Sequence, residues 1–304
     1  MAGVPSLDAL REALLGWSAA GWRDLPWRRT RDPWAVLVSE LMLQQTQVSR
    51  VVPKWESFVS RWPTAPSCAA DPSSEVVRAW AGLGYNRRAL NLHRTAVAVT
   101  TLHGGQLPGD LTALEALPGI GPYTARAVLA FAFERDVGVV DTNAARVIAR
   151  AAAGATLTRP ALQAVADSLV PPGAAWAWNQ AVLDLGATVC TARRPRCGVC
   201  PLARTCAWLR RGGPDPAARR APAPRFEGSD RQARGRLLDA LRAGPVSDVA
   251  AACGMAGDVD RAARIAAGLV SDEFAAWDAD VLTLASGAVT SVTAGLRPAG
   301  AWVT

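Results

Sequence analysis

The chain has 304 residues and a mass of 31.9 kDa, half of its residues are hydrophobic and 19% are charged, and no apolar run approaches the roughly 18 residues that a membrane helix needs. Its net charge is +7, and Lys54 is the only lysine, so 33 − 1 = 32 of the basic residues are arginine. Such an excess suits a polyanionic partner such as nucleic acid, because each neutralised phosphate releases counterions, although an arginine- and alanine-rich composition gives the same charge by itself.

The opening MAGVPSLDALREALLGW carries acids early and reads as an amphipathic helix rather than as a leader, so a cytoplasmic protein is expected. From residue 6 to about 210, apolar-periodic segments are broken by Gly and Pro with few alternating runs, which predicts an all-α region. In TRDPWAVLVSELMLQQTQV (30–48), Asp32 and Pro33 form a cap and first helical position, and the pattern is then apolar except at Ser39 and Glu40. A carboxyl group among Leu37, Leu41 and Leu43 loses solvation if that face is buried, which raises its pKa and fits it to act as a general acid; the plain alternative is a surface glutamate.

In LPGIGPYTARAVLAF (117–131), Gly119 and Gly121 permit a tight turn and positive φ, Pro122 suits a first helical turn, and the exposed amides form an anion site. Twenty residues on, VVDTNAARV offers Asp141 or Thr142 as the cap of a helix starting at Asn143, where dipole and amides hold a carboxylate ionised. One carboxyl kept neutral and another kept charged suit glycosidic cleavage through an oxocarbenium-like transition state.

Cys190, Cys197, Cys200 and Cys206 are spaced C-x6-C-x2-C-x5-C. Four thiolates hold zinc or a [4Fe-4S] cluster, and one short pair flanked by single cysteines favours the cluster over the two close pairs usual for zinc. Cys68 and Cys253 sit in Ala-rich surroundings as small buried hydrophobes, and the two histidines, His93 and His103, lie far apart, which excludes a histidine-rich metal site. GGPDPAARRAPAPRFEGS (212–229) reads as an extended linker. Beyond it, RQARGRLLDALRA and DVDRAARIAAGLV read as helices and DVLTLASGAVTSV as a hairpin about a Ser-Gly turn, together a small winged-helix-like module over 230–304.

The cysteine spacing, GIGPYTA, DTNAARV, LPWR (25–28), SELMLQQTQV (39–48) and GLGYNRRALNLH (82–93) together resemble the MutY branch of the endonuclease III family of DNA glycosylases, over roughly residues 6–210. The resemblance implies a two-lobed helix-hairpin-helix fold with a [4Fe-4S] loop over 1–211, and double-stranded DNA with adenine opposite 8-oxoguanine or guanine as substrate. It also implies a monomer associated with the nucleoid, in which the adenine is flipped from the helix. By the same resemblance Glu40 protonates adenine N7 and Asp141 stabilises the oxocarbenium ion or links to it, with Tyr123 and Asn143 in support. Leu25, Trp27, Arg28 and Gln180 resemble adenine-pocket residues, Gln45, Thr46 and Leu83 face the opposite base, and Tyr85 is the wedge. Gly119 and Gly121 with Arg193, Arg194 and Arg196 contact the DNA backbone.

Tyr123 stands where endonuclease III relatives carry a Schiff-base lysine, so a monofunctional glycosylase is expected. The tail departs from the pattern, being too short and too helical for the Nudix-like domain that ends typical relatives. It is open to duplex binding, lesion sensing or a stabilising role. A thymine or uracil mismatch glycosylase would not require Glu40, a bifunctional lyase is disfavoured by Tyr123, and a non-catalytic DNA-binding protein would not need both carboxyls.

Overall fold

The computed structural model describes residues 7–21, 23–217 and 225–286. In chain order it contains α1 (Leu7–Ala19), α2 (Pro33–Leu43), α3 (Val48–Arg61), α4 (Ala65–Ala70), α5 (Ser73–Ala79), α6 (Arg87–Leu102), α7 (Leu111–Glu115) and α8 (Pro122–Phe131). There follow α9 (Thr142–Val147), α10 (Arg159–Leu169), α11 (Ala175–Thr188), α12 (Ala207–Arg211), α13 (Asp230–Ala243), α14 (Val249–Cys253) and α15 (Val259–Ser271), then strands β1 (Ala275–Asp278) and β2 (Val281–Leu284). By packing, the described residues divide into two compact units: those within 7–40, 109–115 and 120–217, and those within 41–108, 116–119 and 225–286.

The first unit draws its core from both ends of its sequence. Leu10 and Leu14 of α1 share one hydrophobic cluster with Val147, Trp178, Leu185 and Leu202. The apolar stripe of α1 thereby finds its partner on α11, and burying a leucine such as Leu14 contributes about 2 kcal/mol. Past α9 the backbone widens into a π-helical turn over Ile148–Ala153 that ends on Gly154 in the left-handed region, a local irregularity of the kind that gathers at functional sites.

In the second unit α4 packs on α6, and α4 is fixed at its start by a reciprocal cap in which Thr64 and Ser67 exchange side-chain and backbone hydrogen bonds. Phe58 meets Trp62 at 4.6 Å and Trp80 at 6.4 Å between ring centroids, the second edge-on. Cys68 is fully buried, as its Ala-rich context predicts, and burial pushes its thiol up to about 12.

Within the same unit α13, α14 and α15 close around Leu237, Leu241, Cys253, Ile265 and Leu269, and the antiparallel pair β1–β2 packs on them in the register Ala275↔Leu284 to Asp278↔Val281. A bridge from Val246 to Leu282 adds a third short element. Ser229, Asp248 and Asp258 cap the three helices.

Residues 281–284, which the sequence reading made the first arm of a hairpin, are the second arm of one that begins at Ala275. The turn falls at Ala279 and Asp280, and Asp-Ala-Asp is a turn signal of its own; the Ser-Gly turn and the arm over 287–292 lie outside the described residues. The start of the Pro-rich stretch is packed rather than extended: Asp215 accepts from Arg150 and the Pro216 carbonyl from Thr156.

Candidate active site

Glu40 sits near the end of α2, whose start is fixed by Asp32 accepting from the Trp34 amide at 3.0 Å. The helix is apolar almost all round and buried all round, with Glu40 only 5% exposed. Burial pushes its carboxyl up to about 7. The Tyr123 hydroxyl, donating to Glu40 Oε2 at 2.9 Å, opposes that rise, the negative charge of Asp141 adds to it, and Arg28 again opposes it. Tyr123 lies in the first turn of α8, and burial, reinforced by Glu40, holds its phenol well above the ordinary value, so it acts as a donor.

Asp141, not Thr142, caps α9, which begins at Thr142. Its Oδ1 accepts from the amides of Asn143 at 2.8 Å and Ala144 at 2.7 Å, and its Oδ2 from Asn143 Nδ2 at 3.0 Å. Three N–H donors and a helix N-terminus on one carboxylate stabilise negative charge there. The side chain of Asn143 is in turn held by Arg146, which donates to its Oδ1 at 2.8 Å, to the Gly186 carbonyl at 2.7 Å and to the Cys190 carbonyl at 2.6 Å. A Cβ on Gly186 would lie 2.8 Å from Asn143 Cβ, so this glycine lets α11 approach the cap closely.

Leu25, Trp27, Arg28 and Gln180 are all buried in this unit. Arg28 is committed to Asp184 by two parallel hydrogen bonds of 2.8 Å, and the carboxylate is shared with Arg23. Sequence reasoning missed Asp184, yet its signal is that of Glu40, a lone acid in an apolar helix.

Cys190, Cys197, Cys200 and Cys206 line one cavity, open in part to solvent, together with Arg150, Leu202 and Trp208. None of the four is in a disulfide. The donor set fits a cluster: four sulfurs spread around one cavity. Arg150, 2% exposed, donates to Cys190 Sγ at 3.4 Å and to the Thr191 carbonyl at 2.8 Å, and is braced by Asp215. Arg193, Arg194 and Arg196 are exposed on the loop, and Arg196 also donates to the Thr188 carbonyl.

In the second unit two loops carry Gln45, Thr46, Leu83 and Tyr85. Gln45 and Tyr85 hold left-handed backbone, φ 55° and 46°, an uncommon conformation for such residues. Thr46 Oγ1 donates to the Leu83 carbonyl at 3.1 Å, and Arg88, which sequence reasoning did not single out, clamps both loops. Its guanidinium donates to the carbonyls of Leu41, Met42, Gln44, Leu83, Gly84 and Tyr85. Arg88 is only 7% exposed, and burial pushes it down to about 10, still charged at neutral pH.

Of the two hairpin glycines only Gly119 has positive φ, +74°, and a Cβ there would meet Asn91 Nδ2 at 2.3 Å. Gly121 corrects the sequence reading: its φ is −99°, an extended conformation open to any residue, and a Cβ there meets nothing within 4 Å.

These features define a helical protein with a paired-carboxyl site and an iron-sulfur loop, and comparison with known proteins gives the family. Residues 38–172 match the model of the HhH-GPD superfamily base excision DNA repair protein, and residues 190–206 that of the iron-sulfur binding domain of endonuclease III. The chain is 51% identical over 234 residues to an adenine DNA glycosylase of Mycolicibacterium smegmatis, covering 75% of this chain and 79% of that one. It is 42% identical over 217 residues to the human adenine DNA glycosylase, covering 67% of this chain and 40% of that one. Among solved structures a thermostable thymine-DNA glycosylase superposes with a TM-score of 0.64 at 31% identity, covering 68% of this chain and 97% of the other. A trapped endonuclease III–DNA intermediate, at 0.58 and 21% over 68% of this chain and 98% of its own, shares the fold. The chain therefore belongs to the adenine DNA glycosylase family, and with it to the DNA N-glycosylases of base excision repair. Its cofactor is a [4Fe-4S] cluster, and the matched iron-sulfur binding segment, residues 190–206, carries the four cysteines.

Proposed function

We propose that the protein removes adenine paired with 8-oxoguanine or guanine from duplex DNA, hydrolysing the N-glycosidic bond without an efficient lyase step, as a nucleoid-associated monomer. The observation that carries this reading is the unlike treatment of two carboxyls in one unit: Glu40 is raised to about 7 by burial, while Asp141 accepts three N–H hydrogen bonds. Glu40 gives its proton to adenine N7, and the C1′–N9 bond breaks with the pair on the base. Asp141 steadies the cationic sugar. Water adds to C1′ and returns a proton to Glu40.

Tyr123 fixes the Glu40 carboxyl by its hydrogen bond and has no amine with which to form a Schiff base. Leu25, Trp27, Arg28 and Gln180 line the base site, Gln45, Thr46 and Leu83 face the opposite base, and Tyr85, 49% exposed, is the wedge. The amide at Gly121, the turn at Gly119 and the side chains of Arg193, Arg194 and Arg196 engage phosphates. When bound, the cluster orders its loop, since four cysteines leave no iron site open to substrate.

Single-turnover base release from duplexes with adenine opposite 8-oxoguanine, guanine, thymine or cytosine tests the reading, with alkali revealing abasic sites. Fast release opposite 8-oxoguanine and guanine is expected. Release of thymine or uracil instead, or borohydride trapping of an efficient covalent adduct, would overturn it.

A further inference from the structure

The family models end at residue 206, so they leave residues 225–286 without a role. That segment carries seven arginines and ten carboxylates, unlike residues 1–217 with 23 basic and 16 acidic side chains, and four of its arginines (225, 234, 242 and 261) are already ion-paired. A net acidic module with most of its arginines already paired releases few counterions from DNA.

Its contacts run instead to α5 and the first half of α6. Arg242, in the last turn of α13 and 9% exposed in its side chain, donates from Nε to the Val77 carbonyl at 3.0 Å and from NH2 to Asn86 Oδ1 at 2.7 Å. The Arg242 carbonyl accepts from Arg78 Nε at 3.3 Å. Asp272 pairs with both Arg87 and Arg234, and Glu273 with Arg94 at 2.7 Å. Asn86 and Arg87 directly follow the left-handed Tyr85, whose carbonyl is held from within by Arg88.

We propose that the C-terminal module is an internal brace for the Leu83–Asn86 loop, with Arg242 as the positioning residue that sets how sharply the enzyme discriminates the opposite base, and not a DNA-reading domain. The inference rests on the reading of that loop as the opposite-base and wedge element. Ordering Tyr85 in a conformation it rarely adopts requires surroundings that over-determine it, and the Arg242–Asn86 bond supplies that constraint from 156 residues away.

The test is a cycle of Arg242→Ala, Asn86→Ala and the double variant in the full, cluster-loaded chain. Arg261→Ala serves as a control, because it breaks only contacts to Asp230 and Gly228 inside the module. Two readouts are taken: the ratio of adenine release rates opposite 8-oxoguanine and cytosine, and hydrogen exchange at the amides of residues 83–88 without DNA. Losing the charge-assisted bond should lower the ratio and speed exchange by about tenfold in each variant of the pair, with no further change in the double. Arg261→Ala should leave both unchanged, and Arg242→Lys should restore part of each.

If the wild type discriminates between opposite bases but the Arg242 and Asn86 variants do so equally well, the brace is wrong and the adenine reading stands. If no duplex releases adenine, the adenine reading falls, and exchange decides the brace by itself: unchanged protection at residues 83–88 in Arg242→Ala overturns it.

Discussion

The Glu40 site and the Leu83–Asn86 loop answer the same problem, a polar group forced into an apolar interior, in opposite ways. Glu40 has one hydrogen-bond donor beside it and keeps its proton because ionising would cost too much. Arg88 keeps its charge and surrounds it with six backbone carbonyls in place of a carboxylate. A group left partly unsatisfied is poised to exchange a proton, whereas a fully satisfied one can only hold shape. The first solution serves chemistry and the second serves geometry.

The contrast is tested most severely at Glu40 itself. Glu40→Gln keeps an acceptor for Tyr123 but carries no transferable proton, so base release should fall by at least about a thousandfold while duplex binding persists. Undiminished release would remove the mechanism. The same variant has a signature in stability. The carboxyl ordinarily titrates at 4.5 and is raised to about 7 in the folded protein, so between those values the unfolded chain ionises first and wild-type stability falls as pH rises. The loss is complete above pH 7 and reaches about 3 kcal/mol. Glu40→Gln lacks it, so denaturant midpoints of the two proteins should diverge from pH 4 to pH 8, with the variant the more stable at pH 8.

Arg88→Met sharpens the other half of the comparison. It leaves buried carbonyls without donors, and about 3 kcal/mol of stability should be lost in urea titration, with discrimination between opposite bases lost alongside. Arg88→Lys should rescue stability only in part, because an ammonium cannot fork toward two loops. If Arg88→Met discriminates like the wild type at a temperature where it is folded, the clamp is structural only.

How far each solution was legible in the sequence follows from its range. Glu40, Asp141 and the four cysteines announce themselves locally, through an acid in an apolar helix, a cap residue and a spacing. Asp184 gives the same local signal as Glu40 and was passed over in NQAVLDLGATVC. Arg88 is different in kind. It stands beside Arg87 in GLGYNRRALNLH, and nothing in the pattern tells that one turns inward to carbonyls while the other pairs with Asp272. The Arg242–Asn86 contact and the pairing of residues 275–278 with 281–284 are long-range or competitive choices of the same sort, decided by packing rather than by periodicity.

A smaller effect separates the two roles that Tyr123 could have. If its hydroxyl only fills space, Tyr123→Phe leaves the pH profile alone. The hydrogen bond to Oε2 favours the ionised carboxyl and so restrains the rise caused by burial. Removing it should therefore move the alkaline limb of single-turnover release, which falls tenfold per pH unit as Glu40 deprotonates, upward from about 7. A limb that moves down would contradict the sign of that bond.

The smallest expected change in stability is at Gly121, and it is informative because it is small. Gly119→Ala meets both φ of +74° and Asn91 at 2.3 Å, and should cost more than about 1 kcal/mol. Gly121→Ala meets neither, with φ at −99° and open space around its Cβ, so Tm should shift by less than about 0.5 kcal/mol equivalent. Open space on the protein side is what a docking phosphate needs, and a methyl group there would hold the phosphate off the first amides of α8. Duplex affinity measured by anisotropy at fixed salt should then fall several-fold with Tm unchanged. If affinity is also unchanged, the hairpin glycine at this position serves neither the fold nor the ligand, and the anion-binding reading of the turn must rest on Gly119 and the α8 amides beyond it.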